Sequence, residues 1–221
     1  MMKLLTHENN AFMNWVQIYD IDKPYQYLQT QRDEIAKPLY YASLAGLTEA
    51  SYVLLEMRAD INVEGGCYGN ALQAALYGGH EAIAKLLIEK GANIHAQGGD
   101  YGNALQAASH GGHGAIAKLL IEKGADVNAL GGYYENALQA ASSGGHEAIA
   151  KLLIENGEDV NAQAGDHGNA LQAASYEGHD TIAKLLIEKG ADVNAQGGDC
   201  VSSIVLLPSL ISYLSCTYHS P

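Results

Sequence analysis

The chain has 221 residues, which suits one ordinary domain or a short repeat array. Apolar residues make up 48% of it and charged residues only 17%, and this balance excludes an intrinsically disordered chain. The net charge of −13 and the lack of clustered Lys and Arg argue against nucleic-acid and acidic-membrane partners, because both bind positive charge.

The first segment, residues 1–36, does not share the periodicity of the rest of the chain. Its beginning, Met1 to Glu8, is too polar for a signal peptide. Four large apolar residues then recur with the spacing of one helix face: Phe12, Trp15, Val16 and Tyr19. We predict that residues 1–36 form a capping helix and a loop that cover the first repeat.

From residue 37 to residue 201 the sequence repeats with a period of 33 residues. The string Asn-Ala-Leu-Gln-Ala-Ala marks the start of four copies: Asn70, Asn103, Asn136 and Asn169. Residues 70–102 and 103–135 are identical at 24 of 33 positions. A divergent copy precedes them and aligns without a gap from Lys37. We therefore predict copies that start near 37, 70, 103, 136 and 169.

Each copy is predicted to contain a short first helix. In the copy that starts at Asn103, this asparagine is a good N-cap because its side-chain oxygen can accept from a free N–H of the first turn. The small residues Ala104 to Ser109 form the helix, and the glycines at 111 and 112 end it.

A longer second helix is predicted from Gly114 to Lys123, after His113. Its apolar positions form a wide stripe that should be buried: Ile116, Leu119, Leu120 and Ile121. Gly124 should end this helix in the left-handed conformation. One helix pair cannot bury such a stripe alone, whereas stacked copies can. The predicted fold is an all-α solenoid of stacked helix–turn–helix units with projecting turns.

The last segment, residues 202–221, departs from the period and contains no charged residue. A terminal repeat should present a polar outer face, but this tail is apolar. We interpret it either as an improvised cap or as the product of a shifted reading frame.

The repeat resembles the ankyrin repeat in its ending, Gly-Ala-Asp-Val-Asn-Ala, which is found at Gly124 to Ala129 and at Gly190 to Ala195. The opening Thr-Pro-Leu-His-x-Ala of that family is altered, with Asn for Thr and Gln for His. Asn can still cap and Gln can still hydrogen-bond between repeats. The resemblance implies an ankyrin-repeat protein that binds another protein.

The motif Gly-Gly-x-Tyr-Gly-Asn-Ala-Leu-Gln-Ala-Ala further resembles the ankyrin arrays of large fungal proteins, many of which carry a NACHT nucleotide-binding module. This chain has no phosphate-binding loop of the Gly-x-x-x-x-Gly-Lys-Ser/Thr kind. The resemblance therefore implies an alternative function, a regulatory array or fragment of a larger nucleotide-dependent sensor.

The pattern offers little for catalysis or metal binding. A histidine recurs in each copy, at His80, His113, His146 and His179, but adjacent copies lie too far apart for four imidazoles to converge on one zinc ion. We predict that each histidine bonds to backbone at the start of its second helix. No catalytic motif is present, so we predict no enzyme activity, no metal and no cofactor.

The three cysteines, Cys67, Cys200 and Cys216, are odd in number and lack zinc-site spacing. They are expected to be reduced thiols, Cys67 exposed in a loop, which predicts an intracellular, cytoplasmic protein.

The positions that vary between near-identical copies indicate where a partner binds. They follow the first helix or lie in the projecting turns, phases that line the concave groove of ankyrin proteins. Tyrosine at such positions supplies a large contact area with little entropy to lose, although neutral drift at exposed positions would leave a similar pattern. The predicted partner-binding residues are Cys67, Tyr68, Tyr77, Asp100, Tyr101, His110, Tyr133, Tyr134, Ser143, Asp166, His167 and Tyr176. The leading function is a scaffold that holds another protein.

Overall fold

The computed structural model describes residues 38–163 and 168–195. Within these ranges the chain forms ten α-helices and no strand, apart from one isolated antiparallel bridge between Glu64 and Asn70. The predicted capping helix at 1–36, the predicted tail at 202–221, Cys200 and Cys216 lie outside the described residues. The fold class is all-α, as predicted.

The helices alternate between short first helices and longer second helices. The first helices are α1 (Pro38–Leu44), α3 (Ala71–Tyr77), α5 (Ala104–His110), α7 (Ala137–Ser143) and α9 (Ala170–Tyr176). The second helices are α2 (Thr48–Glu56), α4 (Glu81–Glu89), α6 (Gly114–Glu122), α8 (Glu147–Glu155) and α10 (Asp180–Glu188). Compared with the prediction for one copy, α5 extends one residue further, to His110, and α6 ends one residue earlier, because Lys123 already caps it.

The chain divides into two compact units, Met1–Asn93 and Ile94–Pro221. In the first unit, α1 packs against α3 and α2 packs against α4. In the second unit, the first helices α5, α7 and α9 pack in succession, and the second helices α6, α8 and α10 do the same. Each hairpin thus buries its apolar stripe against the next hairpin of the same unit.

The first helices start at the predicted asparagine caps. The Asn103 side chain accepts a hydrogen bond from the backbone N–H of Gln106 at 2.9 Å, and the caps at 70, 136 and 169 do the same. The Gln106 side chain, which is fully buried, donates to the carbonyl oxygens of Ala129 and Glu135. The glutamine that replaces histidine therefore ties its helix to the loop that leads into the next copy.

The second helices bury fewer residues than the sequence pattern indicated. In α6, Ile116, Ala117 and Leu120 are buried, whereas Leu119 and Ile121 are only half-buried. The prediction of a four-residue buried stripe was wrong at these two positions, because a stripe of three residues already faces the neighbouring helices. Gly124 ends α6 with φ of 91°, in the left-handed region as predicted.

Three of the four recurring histidines are seen to bond to backbone, as predicted, and each acceptor lies in the preceding copy: His80, His146 and His179. His146 Nε2 donates to the carbonyl oxygen of His110 at 2.9 Å, and His179 Nε2 donates to that of Ser143 at 3.1 Å. His110 and Ser143 are the last residues of α5 and α7, whose final carbonyls have no partner within their own helix. A Cβ atom at Gly112 would lie 2.6 Å from the His146 ring of the next copy, and a Cβ atom at Gly145 would lie 2.7 Å from the His179 ring, so glycine at these two positions leaves room for the next histidine.

The Asp-Val-Asn ending links consecutive copies through its asparagine. The Asn128 side chain accepts from the backbone N–H of Asp159 at 3.1 Å and donates to the carbonyl oxygen of Gly157 at 3.3 Å. Asn161 makes the same pair of bonds to Asp192 and Gly190. Both halves of each copy therefore contribute hydrogen bonds that fix the stacking distance.

Candidate functional site

In three projecting turns, a tyrosine lies against the end of the first helix that follows the turn: Tyr68, Tyr101 and Tyr134. In the first unit, the rings of Tyr68 and Tyr77 stack with centroids 3.7 Å apart. In the second unit, the rings of Tyr101 and His110 lie 5.3 Å apart. Tyr134 is in the same phase, one copy further on, and hydrogen-bonds with the Ser143 side chain. The variable residue of the turn and the variable residue at the end of the first helix thus meet wherever both are described.

Tyr134 also reaches back to the preceding copy and so joins two turns into one surface. Its ring stacks on His110 with centroids 4.5 Å apart and lies 6.2 Å from the ring of Tyr101. Tyr133 meets Tyr134 edge to face at 5.0 Å. We call Tyr101, His110, Tyr133 and Tyr134 the aromatic patch. The backbone N–H of Tyr133 donates to the carbonyl oxygen of Asp100 at 2.7 Å, which holds the adjacent turns together.

Burial in the aromatic patch shifts the protonation of its members. Burial, and next the nearby His146, lowers the pKa of His110 below its ordinary value of 6.5. His110 is therefore a neutral imidazole at neutral pH. Burial also raises the pKa of Tyr134, so its hydroxyl keeps its proton. His110 and Tyr134 are therefore both uncharged near neutral pH.

In the described part of the second unit, the exposed large hydrophobic side chains lie in the projecting turns or at the end of a first helix, as the aromatic patch does. Within its described residues, the exposed large hydrophobic side chains are Leu130, Tyr133 and Tyr176, at 59%, 58% and 64% exposure. All three lie in the projecting turns or at the end of a first helix. Such a concentration is typical of a surface that a partner covers.

The other predicted binding residues take different environments. Tyr77 and Asp100 are exposed, and Tyr68, Tyr101, His110, Tyr134 and Ser143 are half-buried. Cys67 is half-buried rather than exposed, because its turn folds back onto the first helices. Asp166 and His167 lie outside the described residues.

No metal site emerges from the recurring histidines. Within the described ranges, no group of three or more His, Cys, Asp and Glu side chains is placed to hold a metal ion. The imidazoles of His80, His146 and His179 instead each bond to a backbone carbonyl.

Sequence reasoning missed a buried acid, Glu158. This residue stands where other copies have Ala92, Ala125 and Ala191, and it is only 5% exposed. Its Oε1 accepts from the backbone N–H of Leu138 at 2.8 Å, whereas its Oε2 is buried without a hydrogen-bond partner. Burial raises its pKa to about 8. The change from alanine was visible in the aligned copies and could have identified this position.

These features define a protein built from stacked helical hairpins, with variable side chains in the projecting turns and at the ends of the first helices. The family model described as ankyrin repeats (3 copies) matches residues 4–98, 39–131 and 104–197. The chain belongs to the ankyrin-repeat family. Ankyrin repeats generally mediate protein–protein interaction and are typically non-enzymatic scaffolds.

One curated relative is a fungal protein, the azaphilone pigments biosynthesis cluster protein L of Monascus ruber. It is 39% identical to this chain over a 103-residue alignment, which covers 39% of this chain and 21% of the relative. This chain therefore matches about a fifth of the length of that protein.

None of the helices in the described part of the chain is long and apolar enough to cross a membrane.

Proposed function

We propose that this protein is a scaffold that holds a partner protein on the surface formed by its projecting turns and first-helix ends. The observation that carries the proposal is the aromatic patch, together with the exposed side chains of Leu130 and Tyr176 on the same side. Stacked rings are rigid before binding, so a partner that covers them loses little conformational entropy.

The experiment compares partner capture by three versions of the chain. The first is the native chain, and the second replaces the exposed aromatic residues Tyr77, Tyr133 and Tyr176 by Ala. His110 is left unchanged because it is half-buried, whereas the three tyrosines are exposed. The third, a control, replaces the exposed second-helix acids Glu89, Glu122 and Glu155 by Gln.

A partner that the native chain captures should be lost by the tyrosine variant and kept by the glutamine variant. Binding of the recovered partner is then measured by titration calorimetry, and affinity should fall by a factor of roughly 30 or more, since an aromatic anchor often contributes about 2 kcal/mol. Loss of binding by the glutamine variant alone would place the partner on the second helices and refute the proposal.

The alternative function is a regulatory array of a larger nucleotide-dependent sensor with a NACHT module. It is supported by the repeat motif Gly-Gly-x-Tyr-Gly-Asn-Ala-Leu-Gln-Ala-Ala. Its test is the genomic sequence next to this reading frame. An in-frame phosphate-binding loop of the Gly-x-x-x-x-Gly-Lys-Ser/Thr kind would favour the sensor.

A further inference from the structure

The basic residues of the second unit lie on or next to its second helices, whereas acidic residues lie on the turns as well. Within residues 94–163 and 168–195, every basic side chain lies on a second helix or directly after one: Lys118, Lys123, Lys151, Lys184 and Lys189. The described first helices and projecting turns of this unit carry no Lys and no Arg. The side that displays the aromatic patch therefore has no positive charge to repel a cation.

Three acidic residues lie in the same projecting turns or at the end of a first helix: Asp100, Glu135 and Glu177. Asp100 and Glu135 are the immediate neighbours of Tyr101 and Tyr134 in the chain, and Glu177 follows Tyr176. Asp100 and Glu177 are exposed, and Glu135 is half-exposed. Glu177 caps the end of α9, the first helix that packs against α7, and its charge acts on both His110 and Tyr134. Among the described residues, none of these three carboxylates forms a salt bridge with Lys or Arg.

We infer that the partner presents an arginine-bearing segment to this surface, an inference that rests on the proposed protein-binding function. Arginine combines a planar guanidinium, which stacks on the faces of Tyr rings, with paired donors that match a carboxylate. The exposed face of Tyr133 would receive the guanidinium plane, and Asp100, Glu135 and Glu177 would accept its N–H groups. Neutral His110 adds no repulsion at neutral pH.

The test is an NMR titration of the full chain with a synthetic peptide, Gly-Arg-Gly-Arg-Gly-Arg-Gly, acetylated at its N-terminus. A matched peptide carries citrulline, which keeps the shape of arginine without its charge. The arginine peptide should shift the backbone amide signals of Tyr101, Tyr133 and Tyr134, and the citrulline peptide should not. Its binding should weaken as salt is added, since surface charges are screened.

Two charge-matched variants separate this surface from the overall negative charge. One carries Asp100→Asn, Glu135→Gln and Glu177→Gln, and the other carries Glu122→Gln, Glu147→Gln and Glu155→Gln on second helices. The first should weaken arginine-peptide binding roughly tenfold, because exposed ion pairs each contribute a few tenths to about 1 kcal/mol. The second should leave the dissociation constant nearly unchanged.

Equal weakening in both variants, or no binding of the arginine peptide, would overturn the inference. The protein-binding function is judged separately, from the partner that requires Tyr133 and Tyr176. If that partner is captured while the arginine peptide does not bind, the scaffold proposal stands and the cationic partner does not.

Discussion

The buried carboxyl of Glu158 should make the stability of this protein depend on pH. Burial raises its pKa from the ordinary value of 4.5 to about 8. The unfolded chain then releases this proton at lower pH than the folded chain does. The contribution of Glu158 to stability is therefore most favourable below pH 4.5, falls as the pH rises to about 8, and is level above that. At about 1.36 kcal/mol for each pKa unit, the ionised folded state is about 5 kcal/mol less stable than the protonated one.

Glu158→Ala restores the residue found at this phase in other copies and removes the titrating group. The variant loses one hydrogen bond, from the Leu138 N–H, which costs about 1 kcal/mol at any pH. Between pH 5 and pH 9, its stability relative to the native protein should rise by about 4 kcal/mol. Urea unfolding followed by helical circular dichroism at both pH values measures this difference.

Two further measurements make the reasoning about Glu158 easy to refute. Glu155→Ala, an exposed change at the end of helix α8 and three residues before Glu158, should show no such difference between the two pH values. The carbon-13 signal of the Glu158 carboxyl should titrate well above pH 5. A carboxyl that titrates near its ordinary value, or parallel pH profiles for native and Glu158→Ala proteins, would show that water or a charge partner stabilises the carboxylate.

Two other stability predictions follow from burial and backbone geometry. Leu120→Ala removes a fully buried side chain and should lower the free energy of unfolding by roughly 2–5 kcal/mol. Leu119→Ala, at a half-buried site on the same helix, should cost clearly less. Similar losses of stability in thermal melts of the two variants would contradict the packing of α6. Arg58 has φ of 61°, at the phase that Gly91 and Gly124 occupy in later copies, so Arg58→Gly should be neutral or stabilise by about 1 kcal/mol. Gly124→Ala is the reverse change, with open space around the added Cβ, and should destabilise the protein by a similar amount. A marked loss of stability in Arg58→Gly would show that the arginine side chain contributes more than its backbone strain costs.

Much of the fold follows from the sequence alone, because repetition amplifies local signals. The asparagine caps, the left-handed glycines after the second helices and the helical hairpins depend on residues within a few positions of one another. The same local signals recur with a period of 33 residues, which determined the all-α class and the ankyrin family. Three of the four histidines bond to backbone as expected, although their acceptors lie 36 residues earlier in the chain.

The tertiary structure decided what depends on contacts between copies. Leu119 and Leu120 are the same residue type in neighbouring positions, and only helix packing makes one half-buried and the other fully buried. In the sequence, Glu158 does not differ from other acidic residues, and only the fold buries it beside the N–H of Leu138. Likewise, Tyr134 and His110 are 24 residues apart, and their stacking exists because adjacent turns meet. Periodicity specifies which residues share a phase, but the burial and charge at each phase are set by its neighbours in space.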